Sequence, residues 1–488
     1  VTSASARVLC VDVGSTFTKA VLVDTTTGAV LGTASHPTTV STDVMDGVDA
    51  VRADLAGSGE PTEVLACSSA GGGLRLAVVG YEREVTAEAG QRVGLSAGAK
   101  VVHVASGAMT GDDVKALRAA SPDLVLLVGG TDGGNARVLL HNAERLAKAR
   151  LSAPVVVAGN TDAADEVAAL LTSTGRRFVV ADNVLPRIGV VAPESARAAI
   201  REAFLTHVIG GKGLSRGRGF AELVQAPTPD AVLRGVEVLA EVVGGDVLVV
   251  DVGGATTDVY SVITPQGEDA SIQREVVGTL WHARTVEADL GMRWSAEGVV
   301  EACARERRAL DGATAEYAAR VAADTAHLAS SPQEWLAEEE IASAAAVLAV
   351  RRHGRPGHPS ERPRPLAEVT VLVGSGGVLR HAPGGVGDRV LEQVLSDHGG
   401  GWRVPVAARA GVDTAYLLFA VGLLADHHPE AAAALAAQVV APRRWRPDGI
   451  RIRRTIGARP AKPDDGCRWA HVASRPMTST TLRPVRHR

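Results

Sequence analysis

Aromatic residues are scarce: Phe, Trp and Tyr make up 3% of the 488-residue chain. Its core must therefore be assembled from Ala, Val and Leu, which demands close layering of strands and helices. Cysteine is nearly absent too. The four present, Cys10, Cys67, Cys303 and Cys467, lie far apart with no CxxC pair. That spacing excludes a zinc site or a disulfide framework and fits reduced thiols. No apolar stretch approaches the ~20 residues needed to cross a bilayer; the longest runs from Ala415 to Ala425. Residues Val1 to Ala6 lack the basic and apolar regions of a signal peptide. A cytoplasmic protein with no membrane partner is expected. Positive charge is missing from the body: 13 Lys/Arg and three Asp/Glu fall from Arg443 onward, leaving 38 against 52, a net −14. An acidic body argues against nucleic acid as main ligand, because neutralising phosphates needs clustered cations.

Glycine is abundant, at 53 residues, and an apolar fraction of 46% against 22% charged is a globular balance. The length predicts about three domains. The chain opens strand–turn–strand: Val8 to Val13, the turn Gly14-Ser15-Thr16, then a strand through Ala20 to Asp24. The same grammar returns at Val247 to Val252, Gly253-Gly254-Ala255-Thr256-Thr257-Asp258 and Val259 to Ile263. Two such hairpins predict an internally duplicated fold. Between them, strands at 124–128, 155–158 and 178–181 alternate with helical spacing, which predicts an inserted α/β domain with a parallel sheet. The expected boundaries are 7–100 for the first part of the duplicated fold, 101–225 for the insertion, and 226–440 for the second part. Residues 441–488 form a basic tail expected to be disordered. Helices are expected over 227–243, through most of 284–350 and over 413–424, with a linker from Arg351 to Pro365.

The glycine-rich turns make chemical sense together. A nucleoside triphosphate needs backbone N–H groups close to its phosphates, and glycine removes the Cβ that would stand in the way. Carboxylates at strand ends hold Mg²⁺ through its waters, since that ion gives up its hydration shell reluctantly. Asp12, Gly14, Ser15, Thr16, Thr18 and Lys19 fit a first phosphate loop. Asp251, Gly253, Gly254, Thr256, Thr257 and Asp258 fit a second. Gly374, Ser375, Gly376 and Gly377, after a strand at Val369 to Val373, would bring backbone to the adenosine and α-phosphate. Asp12 and Asp251 are the expected catalytic carboxylates, and Asp12, Asp251 and Asp258 the expected metal set.

In this order, the three motifs and the helices at 231–243 and 413–424 resemble the actin-like (ribonuclease H-like) ATPase superfamily. The implied fold class is α/β, a duplicated actin-like ATPase fold with an inserted α/β domain. A narrower resemblance rests on Ala66-Cys67-Ser68-Ser69-Ala70-Gly71-Gly72-Gly73-Leu74, Gly129-Gly130-Thr131-Asp132-Gly133-Gly134-Asn135, Ala158-Gly159-Asn160-Thr161 and Asp182-Asn183-Val184-Leu185-Pro186. Gly278-Thr279-Leu280 and Arg284 to Arg293 add to it. These stretches are similar to the MutL-type reactivating factors of adenosylcobalamin-dependent glutamate (methylaspartate) mutase. The resemblance implies an ATP- and Mg²⁺-dependent ATPase of chaperone type. Its implied protein client is that mutase, and a small second subunit or a second copy of the chain is a further partner.

Competing readings attach to particular residues. Asp132 would be the general base if the chain were a small-molecule kinase of the same superfamily, and otherwise a partner or nucleotide contact or an Asx-type turn stabiliser. A filament-forming protein is a third reading, which the large insertion disfavours. Gly210-Gly211-Lys212-Gly213 is not a P-loop, because Gly213 stands where Ser or Thr is needed. Arg284, Glu287 and Arg293 would either touch adenosine or form ion pairs on a helix surface, and the surface reading is preferred. His427 and His428 close an apolar helix and need no metal to explain them.

Overall fold

The computed structural model describes residues 6–440 apart from 41, 71–73, 83–85, 98, 189, 210–212, 218, 265–281, 357–362 and 401–402. The stretches Gly71–Gly73, Gly278–Leu280 and Gly210–Lys212 and the basic tail therefore lie outside the described residues.

Fifteen strands among the described residues form three five-stranded sheets. The first holds β1 (Arg7–Val13), β2 (Phe17–Asp24), β3 (Val30–Pro37), β4 (Glu63–Ser68) and β10 (Val224–Pro227), in the order β10-β4-β1-β2-β3. The second holds β11 (Val247–Val252), β12 (Thr257–Val262), β13 (His282–Glu287), β14 (Val371–Ser375) and β15 (Arg409–Val412), in the order β13-β12-β11-β14-β15. Read from opposite ends, the two orders match. Each has a central strand paired antiparallel to the next strand in sequence and parallel to a later one. The duplicated α/β architecture expected from the two hairpins is the one observed.

The third sheet runs β6-β5-β7-β8-β9, built from β5 (Arg75–Gly80), β6 (Lys100–Ser106), β7 (Leu124–Leu127), β8 (Val155–Val157) and β9 (Phe178–Val180), all parallel. Alternate residues of β7 serve two cores. Leu124 and Leu126 join the core under the first sheet, and Val125 and Leu127 join one under the 137–148 helix. Burial on both faces explains the unbroken apolar run. The boundary expected at residue 100 falls inside this sheet, between hydrogen-bonded β5 and β6. Strand membership moves the start of the insertion to β5. The chain returns at β10, which pairs directly with β4.

Two helices cross between the duplicated halves. Thr228–Val243 starts with Pro229 in its first turn and stops at Gly244, whose φ of 62° is the left-handed conformation that ends helices. Leu418–Leu424 packs across it. The expected start of this second helix at Asp413 is displaced: Asp413 lies in the turn after β15, and its carboxylate accepts from the Leu417 and Leu418 N–H groups at 2.6 and 3.2 Å. At the crossing, a Cβ on Gly422 would stand 1.8 Å from the Ala231 carbonyl oxygen, and one on Gly235 2.0 Å from that of Leu418. Backbone touches backbone here, and nothing larger than hydrogen fits.

Asp230 and Glu237 of the first crossing helix are held from two directions. Arg197 and Arg201, on the 194–203 helix that precedes β10, reach Asp230 at 3.2 and 2.6 Å, and Arg197 also reaches Glu237 at 3.4 Å. His282 Nδ1 of β13 lies 2.5 Å from Glu237 Oε1. Burial alone would raise the Glu237 carboxyl, but His282 and Arg197 hold it down at about 2.

Two further expectations change. Strand β13 occupies the start of a region read as helical, because its polar sequence hides buried pairing partners. The Pro332–Gly354 helix runs into the expected linker, and Arg351 within it is buried on Asp397 at 2.7 Å.

Candidate functional site

A constant offset carries the first hairpin onto the second. Asp12 stands opposite Lys19 and Val13 opposite Thr18; Asp251 stands opposite Asp258 and Val252 opposite Thr257. The turns close alike, Gly14 N–H donating to Phe17 O at 3.1 Å and Gly253 N–H to Thr256 O at 2.9 Å. A Cβ at Gly14 would lie 2.7 Å from the Phe17 oxygen, and one at Gly253 2.9 Å from that of Thr256. Turn closure itself therefore requires these glycines.

The second turn has a buttress. Met292 and Arg293 N–H groups donate to the carbonyls of Gly253 and Gly254 at 3.0 and 2.7 Å, and Ser295 Oγ donates to Ala255 O at 2.7 Å. The Trp294 ring covers Gly254. Beside this loop, β14 lays Ser375 opposite Asp251. Gly376 follows with φ 104°, where a Cβ would stand 2.2 Å from the Val252 carbonyl. Gly377 then opens the short Gly377–His381 helix. The stretch expected to approach adenosine is thus pressed against the end of the second hairpin's first strand.

The expected site residues separate into two groups. Ser15 and Thr16 are exposed and Gly14, Lys19, Asp251, Gly253, Gly254 and Thr256 are half-buried, all around the two turns. The side chains of Thr18 and Thr257 are fully buried instead. Thr18 meets the Thr38 hydroxyl at 3.2 Å, and Thr257 donates to Leu290 O at 2.9 Å. Strand alternation turns both side chains into the walls.

Asp258 is also committed. Its Oδ1 accepts from Arg284 Nε and Nη2 at 3.0 and 2.6 Å, and its Oδ2 from Thr256 Oγ1 at 3.1 Å. This geometry makes Asp258 a prop for the turn in place of the expected metal role. Arg284 is likewise no helix-surface residue: it is buried on β13 with Tyr260 beneath it. Arg293 pairs with buried Glu338 at 2.9 Å, and Glu287 with Arg352 at 2.9 Å.

Asp12 and Asp251 differ in their surroundings. Asp12 is 1% exposed. Its Oδ1 accepts from Thr228 Oγ1 at 2.6 Å and from the Cys67 thiol at 3.7 Å, and its Oδ2 from the Tyr416 hydroxyl at 3.0 Å. Burial pushes the Asp251 carboxyl up to about 6; Lys19 and Arg380 oppose this, and Asp258 and Asp12 reinforce it. Lys19 Nζ sits 3.7 Å from the centre of the Tyr416 ring, with the Arg380 guanidinium at 5.1 Å from the same ring. The site therefore gathers two acidic strand ends, two cations and two glycine-closed turns. Such a set can bind a polyanion with its divalent counter-ion.

Thr228, Cys67 and Tyr416 were not among the expected site residues. Cys67 lies in a stretch of the family resemblance, but only the pairing of β4 with β1 and the crossing of the two helices bring the three to Asp12.

Asp132 belongs elsewhere. It lies beyond β7 in the third sheet, where its Oδ1 accepts from Thr161 N–H at 3.0 Å and Asn183 Nδ2 at 2.9 Å. Burial would raise its carboxyl, but these bonds hold it below the usual range. Asn160 Nδ2 donates to Gly134 O and Asn183 Nδ2 to Gly130 O, both at 3.0 Å. Three separate stretches of the resemblance are thereby knitted into one loop assembly, and Asp132 is its turn stabiliser.

Among the described residues no helix is long and apolar enough to cross a membrane. Among solved structures the chain is similar to nucleotide-free acetone carboxylase, at 14% identity over 86% of this chain and 70% of that one, TM-score 0.39. It is also similar to the ethanolamine utilization protein EutJ from Carboxydothermus hydrogenoformans, at 12% identity over 89% and 90%, TM-score 0.28. Gluconate kinase from Lactobacillus acidophilus is 11% identical over 90% of each chain, TM-score 0.31. A curated relative, Protein MutL of Clostridium tetanomorphum, is 35% identical over 451 residues, covering 87% of this chain and 97% of the relative. The family model described as MutL protein matches residues 8–440. With the match spanning both duplicated halves and the insertion between them, the chain belongs to the MutL protein family.

Proposed function

We propose that this chain is a Mg²⁺-dependent ATPase acting as a chaperone-like reactivating factor. It would release damaged cobalamin from an adenosylcobalamin-dependent glutamate/methylaspartate-type mutase. The observation that carries the ATPase reading is the meeting of Asp12, Lys19 and Asp251 between two repeated glycine-closed turns. Backbone N–H groups of the turns, with the Ser15 and Thr16 hydroxyls, would grip phosphate oxygens. Asp251, with Asp12 behind it, would hold the waters of Mg²⁺. The donor set fits such an ion: burial first, and then Asp258 and Asp12, raise Asp251, and a divalent cation beside it would favour the charged carboxylate. The client follows from the family resemblance in the Gly129–Asn135 assembly, which stands on the insertion, away from the turns.

Each residue's part is positional. The two turns belong to different halves, so a ligand touching both favours their approach. Its binding does work on the client only if the two conformations bind it with different affinity. The Gly235–Gly422 crossing is the place where the halves can pivot. Asp132 speaks for a turn role over a kinase base, since its Oδ1 already accepts from Thr161 and Asn183.

The test combines ATP hydrolysis and recovery of an inactivated mutase in one tube. Recovery requiring the purified chain, ATP, Mg²⁺ and free adenosylcobalamin is expected. ATP turnover accelerated by a small acceptor that becomes phosphorylated, with no mutase recovery, would replace this reading with a kinase.

A pH effect follows from Asp251. Its carboxyl is raised from 3.8 to about 6. Between those values the native state binds more protons than the unfolded one, so Asp251 works against folding as pH rises through that window. Below about 6 that proton on Asp251 would compete with a bound Mg²⁺. The gain in nucleotide affinity given by Mg²⁺ should thus be level near pH 7 and fall about tenfold per pH unit below 6. Calorimetry with a non-hydrolysable ATP analogue measures this, and Asp251→Asn should flatten the slope.

A further inference from the structure

Tyr416 is out of keeping with its position. It is a bulky residue in the left-handed region, with φ of 56°, a conformation that costs a residue with a Cβ of order 1–3 kcal/mol. It sits in the turn between β15 and the Leu418–Leu424 helix, directly before the residues whose N–H groups Asp413 caps. It is 8% exposed. From that turn its hydroxyl donates to Asp12 Oδ2 at 3.0 Å, and its ring carries Lys19 on a face at 3.7 Å, with Arg380 at 5.1 Å. Burial first, and then the negative charge of Asp12, push the phenol well above its ordinary value. It therefore stays protonated and remains a donor.

Three parts of the molecule meet on this one side chain. Asp12 and Lys19 come from the first hairpin, Arg380 from the helix behind the adenosine motif, and the backbone of Tyr416 from the start of a crossing helix. Asp12 has both oxygens engaged. Thr228 and Cys67 hold Oδ1 from elements that are regular at those points, a helix first turn and a paired strand. Oδ2 is held by the one donor whose backbone is strained. At 1% exposure this carboxylate has lone pairs to spare but no open approach, so a metal-bound water reaches it when one of the surrounding donors gives way. The donor released at least cost is the one whose release also relaxes its backbone.

We propose that Tyr416 is a positioning residue that latches Asp12 Oδ2 and exchanges with a water of Mg²⁺ when nucleotide enters, coupling metal occupancy to the start of the Leu418–Leu424 helix. This inference rests on the ATPase reading of the site. The exchange breaks one O–H···O⁻ hydrogen bond and forms another; no proton leaves the phenol. The phenol oxygen is fixed to its ring, so release moves ring and backbone together, and the start of the Leu418–Leu424 helix moves with them.

The test uses the full chain and Tyr416→Phe, which keeps the ring and removes the hydroxyl. Calorimetry gives the affinity for a non-hydrolysable ATP analogue with saturating Mg²⁺ and with EDTA, and the ratio is the gain due to the metal. In wild type that gain includes the cost of releasing the latch. In Tyr416→Phe it should be about tenfold larger, the size of one charge-assisted hydrogen bond. An unchanged thermal midpoint in the variant would show that the ring packing is intact. A gain unchanged within about twofold, or diminished, in a variant that melts like wild type would overturn the latch. Wild type that binds the analogue equally with and without Mg²⁺ would overturn the metal assignment of Asp12 and Asp251, and the latch with it. The two failures are thus read from different columns of the same measurement.

Discussion

Asp251→Asn protein should hydrolyse ATP at least about 100-fold more slowly than wild type, the range seen when one preorganised electrostatic contact in an active site is lost. The substitution is nearly isosteric and removes only the charge. Since burial already raises this carboxyl, its loss should not lower the thermal midpoint. Nucleotide affinity in EDTA should hold or improve, because a negative group beside the phosphates is gone. Steady-state turnover with parallel melting curves decides the matter, and undiminished turnover by folded Asp251→Asn would remove Asp251 from the proposed metal set. Asp12 is a poorer choice for the same experiment. Truncating it strands the buried hydroxyls of Thr228 and Tyr416, each at a cost of roughly 1–3 kcal/mol. Lost activity there would mix chemistry with folding.

A single methyl at the helix crossing should do comparable damage by another route. A Cβ on residue 422 would lie 1.8 Å from the Ala231 carbonyl oxygen, with further backbone of Ala231 and Gly235 within 3 Å. No flexible side chain can yield, so Gly422→Ala must drive the two helices apart. Separating the helices opens the core that holds Leu233, Val236, Phe419 and Val421. Destabilisation of about 3 kcal/mol is expected, the upper range for overpacking, read from the urea midpoint. The proposed coupling between nucleotide and client should fail before the fold does. Gly57→Ala is the control: nothing lies within 4 Å of its Cβ position, and its midpoint should stay within about 0.5 kcal/mol of wild type. Matching midpoints for the two variants would mean that the helices do not meet as closely as described.

The legibility of this molecule followed from sequence distance. Motifs contained in one hairpin or one strand end, such as Asp12 to Lys19 and Gly374 to Gly377, announced themselves through glycine and strand pattern. The duplication was visible because the two hairpins share a grammar. What escaped notice depended on partners far away in the chain. Strand β13 looked polar because Arg284 is paired with Asp258 across the ladder, and buried arginine reads as surface until its partner is known. Thr18 and Thr257 looked like phosphate contacts because their chemistry suits the task, yet alternation points them into the wall. The insertion began earlier than expected because β5 carries the same apolar pattern as the strands before it. Tyr416 had no local signature at all, since its significance lies in a hydroxyl that reaches the first hairpin.

The grip of the insertion on the first crossing helix has a consequence for how the molecule responds to its medium. Arg197, Asp230 and Glu237 are largely withdrawn from solvent, with side-chain exposures of 15%, 2% and 8%. Mobile ions screen charges across water, and they do so weakly where water does not reach. Raising ionic strength should loosen surface associations between this chain and the client proposed above while leaving the tie between insertion and helix intact. Salt therefore offers a way to separate docking from internal transmission: a concentration that frees the client should leave the insertion still following the helix.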